Sequence, residues 1–167
     1  MLLSFVFSSF LLAISPGPDN IYLTALTSKA GKIAGFSFLI GLITGCFVHT
    51  ILLAFGLSEL LIKHNIFFEI IKFTGVFYLL YLSYESYKSE ILNFYPEKNN
   101  DNISKYFKRG VLMNLFNPKV FLFFTLFFPN FIYSEIHPFK FQILSLGLIF
   151  IVITFIVFGF IILFSNF

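Results

Sequence analysis

The residues best able to do chemistry lie where the chain interrupts its own apolar runs. The first interruption is the sequence SPGPDN at residues 15–20, which places Asp19 inside an otherwise apolar segment. Proline lacks the backbone N–H and fixes φ, so a helix is expected to break here. The helix-breaking residues are Pro16, Gly17 and Pro18. Helix breaks and charges persist at membrane depth where they are buried in protein or line a polar cavity, so this stretch is predicted to form a site.

The second interruption is the sequence NLFNPK at residues 114–119, which ends in Lys119. Asp19 lies ten residues before Lys29, and Lys119 lies ten residues after Arg109. At 1.5 Å per residue, each charge is roughly 15 Å from the same basic side, near the middle of a bilayer. The two are predicted to meet. They either serve transport directly or form a structural ion pair, and a snorkelling lysine is a further alternative.

Two amides flank the second break and widen the candidate site. Asn114 and Asn117 are three residues apart and therefore share a helix face unless Pro118 distorts it. Their side chains can bind an ammonium or a carboxylate group. Alternatively, they satisfy backbone carbonyls that the proline leaves without a donor.

A stripe of small residues in the second apolar segment ends in a histidine. Gly41, Gly45 and His49 are spaced by four, which keeps them on one helix face. The glycines allow a neighbouring helix to approach closely, and Gly75 in the third segment is also assigned to helix packing. His49 then faces the same neighbour, where it either relays protons or stays neutral and hydrogen-bonded.

Composition identifies the class of protein. Of 167 residues, 58% are hydrophobic and 11% are charged, and the mean hydropathy is +0.92. Soluble domains average about 25% charged residues, so this is a membrane protein. The single cysteine, Cys46, permits no intrachain disulfide, and no Cys/His spacing for a metal occurs. No cofactor, no nucleic-acid partner and no enzymatic activity are expected, since neither catalytic motifs nor a basic aromatic face is present.

Five segments are long and apolar enough to cross the hydrocarbon of a bilayer. We predict an all-α polytopic membrane protein with one transmembrane domain, residues 1–167. A first repeat covers about 1–88, a cytoplasmic loop about 89–109 and an incomplete second repeat about 110–167. The broken spans run in opposite directions, as in an inverted repeat of three helices plus an incomplete three. The predicted spans are 3–27, 34–58, 66–86, 110–132 and 142–166.

Loop charge predicts the orientation. The loops after spans one and three hold seven Lys or Arg residues, and the opposite side holds three. Basic loops stay in the cytoplasm, so the N-terminus is predicted to lie outside.

With these residues assembled, the chain resembles the LysE/RhtB family of bacterial amino-acid exporters. The resemblance extends over about residues 4–132. A lone PGP sequence would be weak evidence for this family, but four sequence blocks in the same order and at the same spacing are specific evidence. The blocks are SPGPD at 15–19, GxxxGxxxH at 41–49, KxxGxxYLxxL at 72–82 and FxxG through NxxNPK at 107–119.

The resemblance implies a multi-pass protein of the bacterial inner membrane that exports amino acids or their derivatives, coupled to the proton gradient. Threonine, homoserine, lysine and leucine are among the family's substrates. Asp19 would be the coupling carboxylate or the partner of the substrate ammonium. Lys119 would be its counter-charge or the partner of the substrate carboxylate.

The chain departs from the family pattern at its C-terminal end, because family members usually carry a sixth hydrophobic segment. One alternative is a natural short version, completed by a homodimer. The others are a truncated, inactive homologue of a transporter and a membrane subunit that does not transport.

Overall fold

A computed structural model of the protein describes residues 1–57, 103–132 and 136–165. Throughout these ranges the regular structure is helical, and no strand occurs in them. A π-helical turn, Leu53–Leu57, extends the helix that ends at Leu52. The turns Phe123–Phe127 and Phe128–Phe131 extend the helix that ends at Leu122. The predicted all-α class is confirmed. The helices are α1 (Leu2–Ile14), α2 (Pro18–Ala30), α3 (Lys32–Leu52), α4 (Ile103–Leu115), α5 (Pro118–Leu122) and α6 (Phe139–Phe164).

Both predicted helix breaks are confirmed. The axes of α1 and α2 differ by 55°, and those of α4 and the extended α5 differ by 49°. Pro18 opens α2 and Pro118 opens α5. Proline suits the first position of a helix because its missing N–H would have no intrahelical acceptor there. Each break therefore ends one helix and starts the next within two or three residues.

The described helices form a polytopic membrane protein. Two helices, Lys32–Phe55 and Phe139–Phe164, are each long and apolar enough to cross a bilayer, and the number rises to four if each bent pair is one span. Large apolar side chains such as Phe10 and Phe155 face outward on these helices, as expected where lipid is the solvent. The predicted span 66–86, with Gly75, lies outside the described residues.

Helix α4 begins within the segment that was predicted to be a cytoplasmic loop. That loop was predicted to reach about residue 109, and α4 begins at Ile103. The basic residues that suggested a loop, Lys105, Lys108 and Arg109, are exposed side chains of this helix. They are compatible with a helix that extends beyond the hydrocarbon, because a charge there remains solvated.

Contacts across the helices set their relative directions. Gly41 of α3 lies against Gly110 of α4, and Gly45 lies against Asn114 four residues further on, so these helices are parallel. Along α6 the order is reversed, since Gly35 of α3 lies against Ile162 and Thr50, further along α3, lies against Gly147. Helix α3 is therefore the central element of the described part, with α4 beside it in the same direction and α6 beside it in the opposite one.

Candidate functional site

The first helix break leaves backbone carbonyls that need donors. Pro16 and Pro18 have no N–H, so the carbonyls at the end of α1 cannot be satisfied by the next turn. The hydroxyl of Ser15 donates to the carbonyl of Leu12 at 3.0 Å. The Ser15 side chain therefore satisfies one of the carbonyls that the break leaves without a backbone donor.

More distant side chains donate to two further carbonyls at the first break. Asn20 donates from Nδ2 to the carbonyl of Ala13 at 2.8 Å. Lys119, which comes from the other broken span, donates from Nζ to the carbonyl of Ser15 at 2.8 Å. Irregular backbone at membrane depth persists only where such donors satisfy it. The hydrogen bond from Lys119 therefore holds the second helix break against the first.

Gly17 lies beside this lysine. A Cβ at Gly17 would lie 3.4 Å from Nζ of Lys119, an ordinary van der Waals distance. The carbonyl of Ser15, two residues earlier, is the acceptor that the ammonium reaches. The lysine side chain therefore lies along the first break.

Asn117 connects the second break to the buried carboxylate. Its Oδ1 accepts a hydrogen bond from the backbone N–H of Lys119 at 3.0 Å and caps α5. Its Nδ2 donates to Oδ2 of Asp19 at 2.7 Å. One amide side chain therefore caps a helix and holds the carboxylate of another helix.

Asp19 retains unused acceptor capacity. The residue is 5% exposed, and its Oδ1 has no hydrogen-bond partner among the described residues. Lys119 is near enough for electrostatic attraction, but its ammonium is bound to the Ser15 carbonyl. The predicted meeting of acid and base therefore takes the form of a shared network through Asn117 and Ser15, in which each charged group has its own neutral partner.

A second polar cluster lies between α3 and α4 and consists of Cys46, His49 and Asn114. Nδ2 of Asn114 lies 3.3 Å from Sγ of Cys46, and its Oδ1 has no partner in the described part of the chain. Gly45 makes this possible, since a Cβ there would lie 2.5 Å from Oδ1 of Asn114. Asn114 is 2% exposed, so this second unpaired acceptor is also fully enclosed.

His49 belongs to the same cluster. Its Nε2 lies 3.4 Å from the backbone carbonyl of Asn114, an acceptor for a ring N–H. The ring stacks on Phe124, with centroids 5.3 Å apart. The backbone N–H of Asn117 donates to the same Asn114 carbonyl at 3.1 Å. This carbonyl therefore connects His49 to Asn117, whose side chain binds Asp19.

The structure brings together five predicted site residues and adds two that were not predicted. Among the described residues no group of three His, Cys, Asp or Glu side chains could hold a metal ion. Asn20 was missed although it follows Asp19 directly, and Cys46 was missed although it lies three residues before His49 on the same face. The positions of Asn20 and Cys46 relative to Asp19 and His49 could therefore have indicated both residues. The predicted residues that share the network are Asp19, His49, Asn114, Asn117 and Lys119.

Comparisons with known proteins agree on one family. The chain is 31% identical over 155 residues to a homoserine/homoserine lactone efflux protein of Salmonella typhi, and 30% identical to that of Salmonella typhimurium. In both cases the match covers 92% of this chain and 75% of the relative. An uncharacterized membrane protein of Bacillus subtilis, YrhP, is 29% identical over 141 residues, which cover 78% of this chain and 67% of that protein.

No solved structure matches the chain. The family model for the LysE type translocator matches residues 10–167, which include both helix breaks and the α3 stripe. The chain therefore belongs to the LysE-type translocator family.

Proposed function

We propose that this protein is a secondary transporter that exports amino acids, or derivatives with a free ammonium group, across the bacterial inner membrane. The observation that carries the proposal is the unpaired Oδ1 of Asp19, buried at the junction of two broken helices. A buried carboxylate with a free oxygen is an acceptor prepared for a cation. Broken helices that meet near the midplane are a common way to build a transporter site.

The site offers two acceptors that have no donor among the described residues. Oδ1 of Asp19 and Oδ1 of Asn114 are both buried and unpaired among the described residues. An ammonium group carries several N–H donors and no acceptor, so it suits such a pair. The ammonium of Lys119 donates to the Ser15 carbonyl, which holds it between the two breaks. We therefore assign recognition of the substrate ammonium to these two acceptors and a positioning role to Lys119.

The names of the relatives are consistent with this assignment. The Salmonella proteins are described as efflux proteins for homoserine and homoserine lactone. These two molecules share an α-amino group, whereas the lactone has no free carboxylate. A site that binds the ammonium accepts both. Substrates for this chain are accordingly proposed to be small amino acids and their neutral carboxyl derivatives.

Proton coupling is part of the proposal. A single carboxylate oxygen can bind a proton or an ammonium group, so Asp19 can exchange one for the other in an antiport cycle. The N-terminus is placed outside, as the distribution of Lys and Arg predicts. A homodimer is the proposed assembly, and cross-linking in native membranes tests it.

The decisive experiment measures efflux of labelled amino acids from proteoliposomes with an imposed pH gradient. Homoserine, homoserine lactone, threonine, leucine and lysine form the panel. Wild type should move at least one of them, and Asp19→Asn should lose gradient-driven efflux. Thr24→Val is the matched control, because Thr24 is an exposed residue of the same helix whose hydroxyl bonds only locally.

Two results would overturn the proposal. If Asp19→Asn responds to the pH gradient as wild type does, Asp19 is not the coupling group. If well-folded wild type moves none of the panel, the chain is a membrane subunit without transport activity or an inactive homologue.

A further inference from the structure

The thiol of Cys46 lies where the polar site meets an apolar cluster. A buried free cysteine usually packs as a small apolar side chain. Part of its surroundings fits that description, because Cys46 is 1% exposed and shares a core cluster with Phe124 and Leu146. Its sulfur, however, also accepts a hydrogen bond from Nδ2 of Asn114 at 3.3 Å. Packing alone therefore does not describe this side chain.

Helix α3 holds Asn114 at three positions. Nε2 of His49 lies 3.4 Å from the Asn114 backbone carbonyl, and the Asn114 side chain packs against Gly45 so closely that a Cβ there would clash. Among the described residues, the sulfur of Cys46 is the one group that hydrogen-bonds to the side-chain amide. The histidine and the glycine thus place Asn114, whereas the cysteine selects the orientation of its amide.

That orientation decides which end of the Asn114 amide has no partner. A side-chain amide has an N–H donor end and a carbonyl acceptor end. Because Nδ2 is turned to the sulfur, Oδ1 is the end that no described residue satisfies. The opposite orientation would leave an N–H donor unpaired, and a donor cannot bind an ammonium group.

The thiol is also a neighbour of the buried carboxylate. Cys46 is near enough to Asp19 for an electrostatic interaction. Asn117 donates from its side chain to Oδ2 of Asp19 and from its backbone N–H to the Asn114 carbonyl. The sulfur, the Asn114 amide and Asp19 therefore belong to one polar neighbourhood, and an ammonium group bound there would lie beside the thiol.

We infer that Cys46 is a positioning residue of the ammonium site, whose sulfur holds the Asn114 amide with Oδ1 turned toward the substrate. This inference rests on the proposed export function. A protonated thiol is a weak acceptor without a charge, so it orients the amide and leaves the ammonium to the stronger oxygen acceptors. Cys46 should accordingly affect how tightly the substrate binds and not how fast the protein cycles.

The first test separates the hydrogen bond of the sulfur from its volume. Cys46→Ala and Cys46→Ser both remove the large sulfur atom, but only serine retains an acceptor for Nδ2 of Asn114. In proteoliposomes, Cys46→Ala should raise the KM for efflux of labelled homoserine about fivefold, because one weak hydrogen bond is lost. The maximal rate per folded protein should be unchanged, and Cys46→Ser should return the KM to near the wild-type value. Thr44→Val is the matched control on α3, since that hydroxyl bonds locally to the Ile40 carbonyl.

A packing role predicts a different pattern, because the two substitutions leave similar cavities. Both variants would then lower the melting temperature in detergent and the yield of folded protein, while the KM stayed at the wild-type value. A wild-type KM in Cys46→Ala, or the same raised KM in both variants, overturns the inference. The proposed function fails separately, if wild type moves no amino acid of the panel.

The second test uses Cys46 as its own reporter, because it is the single cysteine of the chain. N-ethylmaleimide crosses membranes and reacts with a hydrated thiolate, so it should label the buried Cys46 only while the site is open to water. Homoserine at about ten times its KM occupies most of the sites and should slow this labelling about tenfold. The control is Cys46→Ser/Ile33→Cys, which moves the thiol to a position of the same helix that is 71% exposed. Homoserine should not slow the labelling of the control.

Three results of the labelling experiment overturn the inference. They are equal slowing of both thiols by homoserine, labelling of Cys46 that homoserine does not slow, and a transporting protein in which Cys46 is never labelled. Each of them leaves the proposed function standing, because that function is judged by the efflux of wild type.

Discussion

Asn117 donates from Nδ2 to Oδ2 of Asp19 at 2.7 Å, which joins the two broken spans across 98 positions of the chain. Both ends of the amide are engaged, because its Oδ1 accepts from the backbone N–H of Lys119. The orientation of the amide is therefore determined by the helix that it caps. This relationship leaves one oxygen of Asp19 bound and the other unpaired among the described residues.

Asn117→Asp should abolish efflux while leaving the helix cap intact. An aspartate can still accept from the backbone N–H of Lys119, but it cannot donate to Asp19, and two carboxylates then face each other. We expect at least a tenfold loss in the initial rate of homoserine efflux from proteoliposomes. Asn130→Asp is the control, since this exposed amide bonds only to the Leu126 carbonyl. Normal efflux by Asn117→Asp would show that the hydrogen bond to Asp19 is dispensable.

Lys119→Met should destabilise the fold by about 1–3 kcal/mol, because the Ser15 carbonyl loses its donor in an apolar setting. Chemical unfolding in detergent measures this loss, and Lys105→Met, a change at an exposed lysine, should not reproduce it. Efflux of homoserine and of its lactone should decline in the same proportion. A selective loss of homoserine efflux would mean that Lys119 binds the substrate carboxylate instead.

Gly41→Ala and Gly110→Ala should each destabilise the protein by about 1–3 kcal/mol through overpacking. A Cβ at Gly41 would clash with the Phe107 carbonyl, and one at Gly110 with the Phe38 carbonyl. Gly159→Ala is the matched control, since a Cβ there meets no atom within 4 Å. Melting temperatures in detergent compare the three variants, and equal values would contradict the close contact of α3 and α4.

His49→Gln should retain both efflux and its dependence on the pH gradient. Glutamine can donate to the Asn114 carbonyl as the histidine ring does, but it does not titrate near neutral pH. His49→Ala should lower the melting temperature, because that bond and the stacking on Phe124 are lost. A folded His49→Gln protein that transports but ignores the pH gradient would assign the proton relay to His49.

The fold was largely predictable because its signals are local. Apolar runs of membrane length and prolines at 16, 18 and 118 indicate helices and their breaks without reference to any other part of the chain. The start of α4 at Ile103 is not evident from composition, since basic residues occur both in loops and on the exposed ends of helices. Depth and spacing predicted five charged and polar candidate residues, which the structure places in one network. Asn20 and Cys46, which also join it, were not predicted, because neither has a charge or a helix break of its own.

The sequence by itself determined the class of protein and the positions of the two breaks, and it predicts a similar depth for Asp19 and Lys119. These properties follow from composition, from the backbone chemistry of proline and from counting residues along a helix. Only the tertiary structure decided which groups bind each other. Lys119 binds the Ser15 carbonyl, and Asn117 binds Asp19. Such partners depend on how helices rotate and pack against one another, and spacing along a single helix does not specify that.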